Sequence, residues 1–205
     1  MADADGNDYD TIEIGYQCWM KQNLNVGIRV DLDTPTPQIN NPTVEKYCYD
    51  DDWRYCDTDT NSENFPDGGL YTWDEAMQYT NTERAQGICP DNWHIPTWGE
   101  FYELVRHYNS GLPAAPPVMP GVSLGSGTAS ALLPLLNNTS RFNFNYAGAV
   151  DQTGTVFTGF NVYGNIHLSP FGASLTQSVR SSSFGEDITP NVKMPGAASV
   201  RCLKD

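Results

Sequence analysis

The chain has 205 residues, 39% of them apolar, with 25 acidic against 11 basic side chains and a formal net charge of −14. That length fits one large domain or two small ones, and a compact chain of this size buries roughly 70% of its unfolded surface. The acidic balance excludes nucleic acid and anionic membrane surfaces as natural partners, since clustered Lys and Arg hold both, and no run reaches the roughly 18 apolar residues of a spanning helix. The first residues, Met1 to Gly6, lack the basic and apolar regions of a secretory leader, so none is expected within this sequence. Residues 9–20 alternate polar and apolar, which predicts a strand interrupted by a turn at Gly15. Pro35, Pro37 and Pro42 mark an extended loop over 31–43, and an acidic, aromatic stretch follows over 45–69. Thr72-Trp73-Asp74-Glu75 and Thr97-Trp98-Gly99-Glu100 both fit the capping box that opens a helix. Behind the second, Phe101, Leu104, Val105 and Tyr108 fall at i, i+3, i+4 and i+7 on one apolar face.

Residues 109–136 hold Gly111, Pro113, Pro116, Pro117, Pro120, Gly121 and Pro134 and read as a long excursion with little regular structure. After Arg141 the texture changes to short strand-like runs at 142–148, 155–160 and 198–203. No period of repetition emerges. Two helices ahead of many short strands predict an α+β architecture, taken as one domain over residues 1–205. The composition, with 18 Gly, 14 Pro and 12% aromatics, is that of a loop-rich packed chain and not of a disordered one. Five cysteines point to disulfides and an oxidising compartment, with one thiol left over.

Several blocks together carry a resemblance. They are Gly6-Asn7-Asp8-Tyr9, Ile14-Gly15-Tyr16-Gln17-Cys18-Trp19-Met20-Lys21-Gln22-Asn23-Leu24-Asn25, and Lys46-Tyr47-Cys48-Tyr49-Asp50. Further along stand Gly69-Leu70-Tyr71-Thr72-Trp73-Asp74-Glu75-Ala76-Met77, Gly87-Ile88-Cys89-Pro90-Asp91-Asn92-Trp93-His94-Ile95-Pro96-Thr97, and the closing Ser199-Val200-Arg201-Cys202. The sequence resembles the Fibrobacter succinogenes major paralogous domain over nearly its whole length. The resemblance implies a C-type-lectin-like fold related to the formylglycine-generating enzymes, in a secreted or surface setting and without an established catalytic activity. Members of this fold also serve as variable proteins of diversity-generating retroelements, in which a C-terminal segment is rewritten and displayed for binding. The departure from the family pattern lies in that segment, between Gly164 and Asp187.

The resemblance suggests a bridge from Cys89 to Cys202, while Cys48 and Cys56 bracket a short acidic loop. On chain-entropy arithmetic the long bridge contributes about 5 kcal/mol and the short one about 2.5 kcal/mol. A zinc site is the rival reading, without Cys-x-x-Cys or paired His spacing in its favour. Cys18 is the leftover thiol, expected as a small buried hydrophobe beside Trp19. Asp57, Asp59, Asn61 and Glu63 place oxygens at alternate positions, as a calcium loop does, although Ser62 stands at the glycine position and Gly68 at that of the bidentate Glu. Calcium there is the one cofactor candidate; a solvated acidic loop is the alternative.

Among the tryptophans, Trp19, Trp73, Trp93 and Trp98 are expected in the core and Trp53 exposed, and the sugar-binding motifs of calcium-dependent lectins are absent. His94 lies near Cys89 in sequence but reads as packed scaffold, and His107 as solvent-facing. The glycines at 121, 125 and 127 lack the Gly-Lys-Ser/Thr ending and preceding strand of a phosphate loop.

The remaining candidate is a ligand-binding surface over 160–202. Strand alternation puts Leu175, Gln177 and Val179 on one face and Ser174, Thr176, Ser178 and Arg180 on the other. Tyr163, Asn165 and His167 join the polar set, with Phe171, Phe184, Ile188 and Met194 as apolar anchors in loops or at strand ends; closure of the core is the alternative role for those apolar side chains. The resemblance implies the diversified variable protein of a diversity-generating retroelement, displaying this segment to a protein or cell-surface ligand on a cell surface or a virion. Neither catalysis, nucleic-acid binding nor membrane insertion is expected. The alternatives are an undiversified adhesive or structural surface domain and a formylglycine-generating-enzyme-like oxidoreductase.

Overall fold

The computed structural model describes residues 1–35, 37–56, 67–108, 110–114, 142, 147–151, 153–158, 163–169, 175–180, 187–192 and 196–205. The first expected strand is a hairpin, β1 (Thr11–Ile14) and β2 (Gln17–Met20), in which Ile14 sits opposite Gln17. Gly15 makes the tight turn with φ +63°, a left-handed conformation that glycine adopts without steric cost. Short pieces follow: β3 (Ile28–Arg29) pairs in parallel with β4 (Glu45–Lys46), and β5 (Tyr71–Thr72) leads into α1 (Trp73–Ala76). Then come β6 (Trp93–His94), α2 (Trp98–Tyr108) and the hairpin β7 (Ala149–Val150) with β8 (Phe157–Thr158). β9 (Tyr163–Leu168), β10 (Leu175–Arg180) and β11 (Asp187–Val192) form an antiparallel three-stranded sheet. β12 (Ala197–Ala198) pairs with β5, and β13 (Leu203–Lys204) enters the four-stranded sheet β1-β2-β13-β6. Among the described residues, two helices and many short, mostly antiparallel strands make the α+β arrangement the sequence predicts.

The capping boxes behave differently. At α2 the exchange is reciprocal: the Glu100 amide donates to Thr97 Oγ1 at 3.1 Å, and the Thr97 amide donates to Glu100 Oε2 at 2.8 Å. The predicted apolar face is realised, with Phe101, Leu104 and Val105 buried and Tyr108 packed at the margin. At α1 only half the box forms. Thr72 Oγ1 accepts from the Glu75 amide at 3.2 Å, but the Glu75 carboxylate turns away to the Glu45 amide at 2.9 Å and the Tyr79 hydroxyl at 2.7 Å. Gln38 Oε1 takes the Thr72 amide in its place. Left-handed φ values at Gln78 and Tyr79, 50° and 58°, then stop the helix after a single turn.

Two apolar clusters flank the four-stranded sheet. One holds Trp19, Phe101, Leu104, Ile166, Leu168 and Leu203, and the other Met20, Leu24, Tyr71, Ile95, Val200 and Cys202. Trp73, Trp93 and Trp98 are also buried, while Trp53 is 57% exposed. Arg201 is fully buried, donating from Nε and Nη2 to Asn23 Oδ1 at 3.1 and 2.7 Å and from Nη1 to the Phe142 carbonyl at 2.7 Å. Its guanidinium stands 4.7 Å from the centre of the Phe142 ring. Burial pulls its pKa down to about 9, so it stays charged at neutral pH. Gly196 packs so tightly that a Cβ would lie 1.9 Å from the Val150 carbonyl oxygen. No side chain fits there.

Both expected disulfides are present, Cys48–Cys56 with Cα atoms 5.3 Å apart and Cys89–Cys202 with Cα atoms 5.9 Å apart. Cys18 is the free thiol, and it is half-buried, not fully enclosed. The pair of bridges fits an oxidising or extracellular compartment. Among the described residues no helix is long and apolar enough to cross a membrane. Replacing Cys89 and Cys202 together by Ala should lower stability by up to about 5 kcal/mol, because the bridge closes most of the chain. A denaturant midpoint measured with and without the pair checks this, and an unchanged midpoint would mean that the strands alone close the fold.

His167 behaves differently from its expected role. It is fully buried, and its Nε2 donates to the Tyr71 carbonyl at 2.7 Å. That bond fixes the Nε2–H tautomer, leaving Nδ1 as a buried acceptor with no hydrogen-bond partner among the described residues. His167 is therefore an interior residue and not a surface contact. Its polar side chain grouped it with the candidate contacts, but the Tyr71 carbonyl meets it at the base of β9. Burial lowers its pKa from 6.5 to about 4, against the opposing pull of the Tyr71 carbonyl and Asp74. Between those pH values the unfolded chain binds more protons, so stability is full above about pH 6.5 and falls towards pH 4 by roughly 3 kcal/mol. Urea midpoints of the wild type and His167→Gln across that window isolate the contribution, which is absent if both curves run parallel.

Candidate functional site

Seven of the eleven residues expected to bind ligand lie in the β9-β10-β11 sheet. Its register sets Tyr163 opposite Arg180, Asn165 opposite Ser178 and His167 opposite Thr176. On the other side of β10, Arg180 faces Asp187, Ser178 faces Thr189 and Thr176 faces Asn191. Directly opposed positions share a face of a pleated sheet, so 163, 165, 167, 176, 178, 180, 187, 189 and 191 occupy one face. The second face takes Gly164, Ile166, Leu168, Leu175, Gln177, Val179, Ile188, Pro190 and Val192. The division is chemical as well as geometric. One face collects hydroxyl, amide and charged residues around a tyrosine, and the other is mainly aliphatic.

Two residues depart from the expectation. Ile188 pairs with Val179 within β11, which puts it on the aliphatic face and not at a loop or strand end beside Thr176 and Arg180. His167 lies in the polar register but is sealed at the inner end of the sheet, as described above. Phe171, Ser174, Phe184 and Met194 fall outside the described residues, as do the calcium candidates Asp57, Asp59, Asn61 and Glu63. Among the described residues no group of three or more His, Cys, Asp or Glu side chains is placed to hold a metal ion.

The sheet is fastened to the scaffold at one end. Ile166 and Leu168 enter an apolar cluster with Trp19 and Leu203. The His167 amide donates to the Ser199 carbonyl at 2.9 Å, and the Ser169 amide to the Pro96 carbonyl at 2.7 Å. Ser169 Oγ donates to the Ile95 carbonyl at 2.8 Å and accepts from the Arg84 amide at 3.0 Å. Pro190 sits on β11, an outer strand, where a missing amide donor is tolerated. Residues 196–202 belong to the interior: Ala197, Ala198, Val200, Arg201 and Cys202 have no exposed surface. Residues 196–202 of the expected 160–202 segment are therefore part of the scaffold.

Two polar constellations escaped the sequence reading. His94 is 1% exposed and lies between carboxylates, Nδ1 2.7 Å from Asp205 Oδ1 and Nε2 3.1 Å from Glu100 Oε2. Arg84 pairs with the other Glu100 oxygen at 2.6 Å. Hydrogen bonds from His94 and the Thr97 amide outweigh burial and hold the Glu100 carboxyl below its ordinary pKa. Nothing local announces this cluster, since its members come from β6, α2 and the end of the sequence. The second is an alternating Asp3-Asp5-Asn7 loop. Asp3 Oδ1 accepts from the Asp5 and Asn7 amides at 2.9 and 3.0 Å, and Oδ2 from the Tyr9 hydroxyl at 2.6 Å. Asp5 Oδ2 takes the Gly27 amide at 2.6 Å. Lys46 is nearly buried and donates to the Asn25 carbonyl; burial lowers its pKa, and the charges of Asp5 and Asp3 oppose that. These carboxylates tie the first residues to the scaffold.

The comparisons with known proteins agree with the resemblance. The chain matches the Fibrobacter succinogenes major domain (Fib_succ_major) over residues 12–204. No curated protein and no solved structure gives a significant match. The matched span runs from β1 to β13 and takes in both helices and both disulfides, and the chain therefore belongs to the Fibrobacter succinogenes major domain family.

Proposed function

We propose that this chain is a ligand-binding display domain on a C-type-lectin-like scaffold, presenting the polar face of β9-β10-β11 to a protein or cell-surface ligand. We further propose that this segment is the diversified part of a retroelement variable protein, carried on a cell surface or a virion. One observation carries the reading. The register gathers five of the candidate contacts, Tyr163, Asn165, Thr176, Ser178 and Arg180, on one face of a sheet whose opposite face is aliphatic. A face built from Tyr, Ser, Thr, Asn and Arg has the composition of adaptable recognition surfaces. The anchoring at residues 166–169 and 196–202 supports a division between a fixed base and a replaceable outer part. Binding is preferred to catalysis because Cys89 and Cys202 are joined in a disulfide, so neither offers the thiolate that a cysteine nucleophile or copper ligand requires.

Replacing Thr176, Ser178 and Arg180 together by Ala should reduce capture of a surface ligand from host extracts by about tenfold or more, with the melting temperature moving by less than about 4 °C. A photo-crosslinking residue at position 178 should form a ligand adduct, and one at position 177, on the other face, should not. Equal labelling from both positions, or a collapse in stability, would count against recognition through this face. Long-read sequencing of the native locus tests the diversification. A second copy of the 160–195 coding segment, differing mainly at adenines beside a reverse transcriptase gene, is expected. Its absence would leave a binding domain with a fixed surface.

A further inference from the structure

A second recognition feature lies among other residues. Leu32 and Asp33 from the loop after β3, Tyr49 to Asp51 beside the Cys48–Cys56 bridge, and Val156 and Phe157 from the β7–β8 hairpin line an open cleft of about 590 Å3. That volume falls within the range of ligand sites and exceeds a single side chain. Beside three aspartates and Thr155, the apolar part of the wall is aromatic and aliphatic: the Tyr49 ring lies 5.2 Å from that of Phe157 and 5.6 Å from that of Tyr55, and Val156 is 56% exposed.

The charge around the cleft has one sign. Asp33 and Asp50 are exposed and Asp51 is half-buried, and no Lys or Arg is among the residues that line the cleft. Among the described residues, the nearby Arg29 and Arg54 are already engaged. Arg29 pairs with Asp31 at 2.8 Å and also donates to the Asp51 carbonyl, while Arg54 grips Asp52 through its Nε and Nη2. Burial lifts the Asp51 carboxyl above its ordinary pKa, with the Leu32 amide opposing and Asp31 reinforcing the rise. An anionic occupant would meet these carboxylates unscreened. A cationic one would find both countercharge and a ring face suited to an ammonium or guanidinium stem.

We propose that this cleft docks a basic segment of a partner protein, its apolar stems lying on Tyr49, Phe157 and Val156 and its cationic heads meeting Asp33 and Asp50. This contact is separate from the strand face and does not depend on what that face binds. The shape fixes where the segment lies, and the uncompensated charge selects its sign.

The test is a 1H–15N NMR titration of the intact chain with the capped peptide Ac-Lys-Tyr-Lys-NH2, in parallel with Ac-Glu-Tyr-Glu-NH2 and cellobiose. Shifts confined to residues 32–33, 49–51 and 155–157 are expected with the basic peptide and not with the acidic one. Raising the salt concentration should weaken them, as it does any partly exposed ion pairing. Asp33→Asn with Asp50→Asn should lower the affinity about fivefold, and Val156→Ser should lower it without altering the salt dependence. Asp33 and Asp50 are exposed, so the double variant is expected to fold. The proposal is overturned if cellobiose moves these amides and the basic peptide does not, which would make the cleft a sugar site. It is equally overturned if the shifts spread over the whole acidic surface and ignore the variants, because that is general attraction to a chain of charge −14.

Discussion

The entry of β13 between β2 and β6 is the constraint on which the rest of the fold depends. Leu203 lies opposite Trp19 on one side and His94 on the other, so a strand from the end of the sequence joins the first hairpin to the strand that precedes α2. The backbone reinforces the junction, with the Met20 amide donating to the Cys202 carbonyl and the Leu24 amide to that of Val200. Side chains on both sides of the sheet then close over it. Trp19 and Leu203 pack with the apolar face of α2, and Met20, Val200 and Cys202 pack with Tyr71 and Ile95. Arg201, alternating with these apolar residues, crosses to Asn23 and Phe142. A guanidinium buried this deeply is tolerated because its donors meet carbonyl-type oxygens and its plane meets a ring.

The placement of that junction explains the partition of the C-terminal third. Among the described residues, the strands from β9 up to Val192 form the three-stranded sheet, and those from Ala197 onward are scaffold strands. Gly196 marks the border, where the Val150 carbonyl leaves no room for a Cβ. The sheet meets the scaffold through the inner end of β9, where Ile166, His167 and Leu168 are buried and Ser169 bridges to residues 84, 95 and 96.

Local information made some of the fold legible and hid other parts. α2 was readable because its capping box, its apolar spacing and its length all lie within a dozen neighbouring residues. α1 carries the same opening motif yet stops after one turn, since Gln38, Glu45 and Tyr79 compete for the groups that would complete its cap; Gln38 and Glu45 come from far back along the chain, a loop and β4. Strand alternation sorted Thr176, Ser178 and Arg180 correctly from Leu175 and Val179. Ile188, expected in a loop or at a strand end, pairs with Val179 within β11, and His167, grouped with the polar set, is covered by Tyr71. The carboxylates around His94 could not be foreseen from spacing, because Asp205 reaches it only after β13 is in place. Pairwise chemistry between distant segments was the missing quantity each time.

The central position of β13 also orders the events of folding. Its neighbours β2 and β6 lie far back along the chain, so the sheet closes only after a long stretch of polypeptide has been confined, a topology associated with slow folding. Until then β2 is paired on one edge alone, by β1, and presents its other edge to any strand that arrives first. An intermediate of this kind is exposed to pairing between chains. The Cys89–Cys202 bond, once formed, holds the late strand beside its neighbours and removes that open edge, so oxidation of this pair acts as the latch that ends the vulnerable period.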